Sequence, residues 1–161
     1  MTTRITRHLA GLLVFASLTL LPGLLPAQAP TPVRQQLLYV PVYSEIPYGD
    51  QHRTLNLSAT LSVRNTDRVH ALTLKRVDYH NSKGALTSAY LSVPLILKPM
   101  ASIEFIVKES DRRGGVSASF LVEWAGDVPL SPPAVEAIMI STASAQGISF
   151  CSPARILEEK R

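Results

Sequence analysis

The chain has 161 residues, 46% hydrophobic and 17% charged, with 12 prolines, one cysteine and a formal charge of +4. That size and balance fit one compact domain and exclude a disordered tail, a collagen-like repeat and a disulfide scaffold. Met1 to His8 carries Arg4 and Arg7 and no acid, and an apolar run follows from Leu9 to Leu25. These are the n-region and h-region of an export signal over residues 1–29. The alternative is an uncleaved anchor, but a run this short, broken by Gly11, Pro22 and Gly23, lies at the lower limit of a spanning helix. Small residues at Ala27 and Ala29 place cleavage near one or the other, and Pro30 hinders the cut after Ala29, which makes Ala27 a competitor. No cysteine stands there to take a lipid, and Arg4 and Arg7 are not adjacent, against the twin-arginine route.

Without Arg4 and Arg7 the mature chain has 14 basic residues against 12 acidic ones. The basic residues are dispersed, adjacent only at Lys75-Arg76, Arg112-Arg113 and Lys160-Arg161, so no stripe tracks a phosphate backbone and no nucleic acid is expected as partner. The mature protein is expected to be periplasmic or secreted, with no stable membrane anchor once the signal is cut. Cys151 is the only cysteine and cannot form an internal bridge. A buried, inert thiol is the expectation, over an intermolecular disulfide or a reactive role.

Residues 30–36 form a proline-rich linker, residues 37–157 the domain and residues 158–161 a charged tail. Within the domain, short runs of period-two alternation are separated by Gly, Pro, Asn and Asp, and no stretch carries a sustained 3.6-residue apolar stripe. Leu38 to Tyr43 opens the series. Leu55 to Arg64 is the clearest strand, apolar at the odd positions and polar at the even ones, ended by Asn65-Thr66-Asp67. The next run changes parity between Leu74 and Val77, which predicts a bulge near Lys75-Arg76. Asn81-Ser82-Lys83-Gly84 supplies a turn with Gly84 at positive φ, and Leu86 to Leu91 closes a hairpin. Strands follow at Val93–Leu97, Ile103–Val107, Phe120–Trp124 and Ile148–Phe150. Val135–Ile140 is apolar on both parities, so it is either central or covered by another subunit, a route to a homo-oligomer. About eight strands predict an all-β, immunoglobulin-like antiparallel β-sandwich.

Catalytic signatures are sparse. Gly-x-Ser-x-Gly is absent, and no two histidines have metal-ligand spacing, with His52, His70 and His80 in or beside turns. No catalytic residue, metal or cofactor is assigned. Two loops carry binding-type residues. Glu109-Ser110-Asp111-Arg112-Arg113-Gly114-Gly115 could hold an anion on Arg112 and Arg113, unless its charges pair internally. Tyr43-Ser44-Glu45-Ile46-Pro47-Tyr48-Gly49-Asp50 has the composition of a platform for a sugar or small polar ligand, unless Tyr43 is core and Tyr48 braces a turn. Trp124 beside Glu123 reads as ordinary sandwich core.

Several segments resemble a bacterial exported family catalogued as a domain of unknown function, many of whose members look like lipoproteins. They are Tyr39 to Ile46 with Tyr48-Gly49-Asp50, Leu61 to Asp67, Met100 to Phe105, Glu109-Ser110-Asp111 with Gly114-Gly115, Phe120 to Trp124 and Gln146 to Phe150. The resemblance spans Leu37 to Ile156 and implies export but no activity. This chain lacks the lipoprotein cysteine. The reading is therefore an exported, non-catalytic module binding a protein or small polar ligand through Tyr43, Glu45, Tyr48, Asp50, Glu109, Asp111, Arg112 and Arg113. The alternatives are an envelope hydrolase using the carboxylates of Glu45, Asp50, Glu109 and Asp111, and a purely structural role.

Overall fold

A computed structural model describes residues 30–50, 53–142 and 147–161. The expected signal segment, His52 and Gln146 lie outside them. The described residues form twelve strands and no helix: β1 (Val33–Val42), β2 (Glu45–Tyr48), β3 (Arg53–Asn56), β4 (Ser58–Arg64), β5 (Leu72–His80), β6 (Leu86–Ala89), β7 (Leu95–Leu97), β8 (Ser102–Val107), β9 (Ala118–Leu130), β10 (Ala134–Ser141), β11 (Ile148–Pro153) and β12 (Arg155–Lys160). One sheet runs β12-β1-β9-β5-β6, with β7 also paired to β5, and a second runs β11-β10-β4-β8; β2 and β3 form a separate hairpin. Every pairing is antiparallel.

Alternation explains the sandwich. Leu38, Val40 and Val42 of β1, Phe120, Val122 and Trp124 of β9, and Leu72, Leu74, Val77 and Tyr79 of β5 are buried from one sheet. Ala59, Leu61 and Val63 of β4 and Val135, Ala137 and Met139 of β10 meet them from the other. Each large aliphatic side chain buried this way is worth about 1.5–3 kcal/mol. The register of β5 against β9 shifts between Leu74 and Arg76, the bulge that the change of parity predicts. Gly84 takes φ 78° in the β5–β6 turn, where Asn81 Oδ1 accepts from the Lys83 and Ala85 amides.

Four details differ from the sequence reading. There are twelve strands rather than about eight: Leu55–Arg64 is cut at buried Leu57, whose amide donates to the Ser44 carbonyl, and β2 and β12 carry too little buried apolar surface to announce themselves. β1 starts at Val33, inside the expected linker, with Val33 and Gln36 buried. The expected charged tail continues β12 as far as Lys160. Cys151 is exposed, because it lies opposite Ile138 on the outer face of β11, an edge strand. β10 is central, flanked by β4 and β11.

Candidate functional site

At one end of the sandwich, four connections converge: β1–β2, β3–β4, β5–β6 and β8–β9. The Ser44 amide and hydroxyl both donate to the Gly115 carbonyl, at 3.2 and 3.0 Å, and the Ser82 amide donates to the Gly114 carbonyl at 2.9 Å. These backbone ties fix the β8–β9 loop over the core. Its Arg112 then reaches the β1–β2 segment, with Nε and Nη2 donating to Glu45 Oε2 at 3.2 and 2.9 Å. Arg113 folds back on Asp111, with Nε donating to Oδ1 at 2.8 Å and Nη2 to Oδ2 at 2.6 Å, and its Nη2 also approaches the Ser88 hydroxyl at 3.4 Å. The two loops picked out separately in the sequence are thus one surface, and the internal pairing of charges prevails over a free anion cradle.

Electrostatics follow from that pairing. The Arg113 guanidinium holds the Asp111 carboxyl below the usual aspartate range, and Asp111 raises Arg113 in return. Asp111 therefore stays ionised at neutral pH and is a poor proton donor, and Glu45 is engaged by Arg112. Beneath the loop lies an aromatic layer. Tyr79 is fully buried 5.1 Å from Phe120, and Tyr90 sits 5.6 Å from both Phe105 and Phe120. Burial pushes both phenols above their ordinary pKa, with the Ser44 hydroxyl acting the other way on Tyr79. Tyr90 donates to the Ile106 carbonyl at 3.0 Å, whereas the Tyr79 hydroxyl has no partner of acceptable geometry.

The remaining candidates are dispersed. Tyr43 is half-buried, edge-on to Phe150 at 5.7 Å. Tyr48 and Asp50 are exposed at the tip of the β2–β3 hairpin, beside Arg53 in a small concavity. Glu109 is exposed with no ion-pair partner among the described residues. Among those residues no group of three His, Cys, Asp or Glu is placed to hold a metal. Sequence reasoning missed Tyr79, Ser82 and Ser88; on strand parity Tyr79 looks like plain core, and nothing local marks the two serines. Asn65 and Asp67, in the Leu61–Asp67 segment of the family resemblance, prove structural. Asn65 Nδ2 donates to the carbonyls of His70, Leu97 and Lys98, and Asp67 accepts from the amides of Val69, His70 and Ser131, tying the loops of the opposite end.

Comparison with known proteins adds a family and no activity. A family model described as "Protein of unknown function (DUF3124)" matches residues 35–157. No curated protein matches the chain. A solved structure titled "Crystal Structure of Thermotoga maritima 1070" is similar at 14% identity and a TM-score of 0.46, covering 81% of this chain and 98% of that one.

Proposed function

Since the chain belongs to that family of unknown function, its role has to come from its own surface, and we propose that it is an exported, non-catalytic module that binds a small polar ligand across the joined β1–β2 and β8–β9 loops. One observation carries the proposal: Arg112 and Arg113 are each oriented by a carboxylate yet remain more than half exposed. A guanidinium has five N–H donors. Here Nε and Nη2 are used in each, so both Nη1 groups are left for acceptors of a ligand. Glu45 and Asp111 neutralise the pair, which favours a neutral, hydroxyl-rich ligand such as a saccharide over a bare anion. The rest of the reading rests on the sequence: the basic n-region, the apolar run and the small residues at Ala27 and Ala29 support export to the periplasm or beyond.

The hydrolase reading draws less support, because Glu45 is committed to Arg112 and Asp111 to Arg113, whose guanidinium disfavours the protonated form that a general acid needs. Thermal shift followed by titration calorimetry against mono- and oligosaccharides tests the proposal. A saccharide hit is expected to weaken by at least about tenfold in the Arg112→Ala/Arg113→Ala variant. Unchanged affinity there, or no hit across the panel, would reject this site.

A further inference from the structure

β12 is the outermost strand of the six-stranded sheet and pairs with β1 on one side only. All six of its residues are exposed, including Ile156 at 56% and Leu157 at 54%. Two adjacent large aliphatic side chains on an open edge are the kind of surface that proteins usually cover or interrupt. The register against β1 slips here: Glu158 lies opposite Leu37 and Ile156 opposite Leu38, so Leu157 is an extra, bulged residue. The bulge changes which side chains share a face. Arg155 stands opposite Tyr39 and Glu158 opposite Leu37, both half-exposed outer positions of β1, whereas Ile156 stands opposite buried Leu38. In an unbulged strand residues 155 and 158 would face opposite ways.

Arg155 and Glu158 have no ion-pair partner among the described residues, although their neighbour Glu159 is taken up by Gln36 and Arg161. The occupant of the edge follows from this pattern. A bulged edge mispairs with a regular strand, which protects it from indiscriminate partners. A second copy of the chain, turned about a two-fold axis, brings an identical bulge. In that antiparallel register Arg155 of each copy falls opposite Glu158 of the other, on the same face, and Ile156 falls opposite Leu157. The geometry points to β12 as a self-association edge: two copies pair β12 to β12 and merge their six-stranded sheets into one. β10 offers no such edge, since β4 and β11 occupy both of its sides.

Size-exclusion chromatography with light scattering, run under reducing conditions so that exposed Cys151 cannot link copies, reads this directly. The wild type is expected to be a dimer. Arg155→Glu or Glu158→Arg alone sets like charges opposite each other twice per dimer and is expected to weaken association by at least about tenfold. The double variant Arg155→Glu/Glu158→Arg restores the pairs and is expected to restore the dimer. Circular dichroism is expected to show all three variants folded, because both side chains are exposed and unpaired. A wild type that stays monomeric at about 100 µM overturns the proposal. So does a double swap that fails to rescue, or a dimer lost with Ile138→Lys but indifferent to Arg155→Glu.

Discussion

Gly114 is buried against the Tyr79 side chain, and a Cβ there would overlap the Tyr79 hydroxyl and lie 2.9 Å from the Ala118 Cβ. The loop that carries Arg112 and Arg113 rests on the aromatic layer only because residue 114 has no side chain. Gly114→Ala is therefore expected to destabilise the fold by about 1–3 kcal/mol, as overpacking does, read as a lower urea midpoint. Tyr79→Phe alone is expected to be nearly neutral, because the hydroxyl it removes has no partner. Combined with Gly114→Ala it relieves part of the overlap, so the double variant is expected to lose less than the two single effects together. The sequence shows a Gly-Gly pair suited to a loop. It cannot show that one of the two glycines is there for a tyrosine 35 positions earlier.

Strands were legible where burial is one-sided and obscure where it is not. β8 and the Phe120–Trp124 part of β9 alternate in burial, β4 alternates in sequence, and the β5 bulge is written in the shift of parity from Leu74 to Val77. β12 shows no alternation at all, since its fit depends on β1, more than a hundred residues away. Gln36 makes the point at the level of pairing. It sits at a buried position of β1, accepts from Trp124 Nε1 of β9 at 3.3 Å and donates to Glu159 Oε2 of β12 at 2.9 Å, so one amide stitches three neighbouring strands. That bond is also the main reason the Glu159 carboxyl lies below the usual glutamate range. Gln36→Leu is expected to leave the buried indole N–H without an acceptor and cost about 1–3 kcal/mol. Equilibrium denaturation measures it, and an unchanged midpoint would show that the indole finds another partner.

At the scale of the whole molecule the two ends of the sandwich are tied together by different groups. At the end opposite the charged loops, Asp67 accepts three backbone amides, from Val69, His70 and Ser131, which hold its carboxyl at about pKa 2 against an ordinary 3.8. A folded-state pKa below the unfolded one means that the ionised form favours folding. Its contribution is fully present above about pH 4 and is lost as the pH falls toward 2. Melting temperatures between pH 5 and pH 2 are expected to fall less steeply for Asp67→Asn than for the wild type, from a lower starting value; parallel curves would assign the acid loss to Asp111 and Glu159 instead. The sequence by itself determined the all-β class, most strand positions and the turn at Gly84, because alternation and turn chemistry are local properties. Only the tertiary structure decided that Glu45 meets Arg112, that Cys151 is exposed, that β10 is central and that β12 is an open edge. Each of these depends on which strand lies beside which, and pairing partners distant in the chain leave no periodic mark in it.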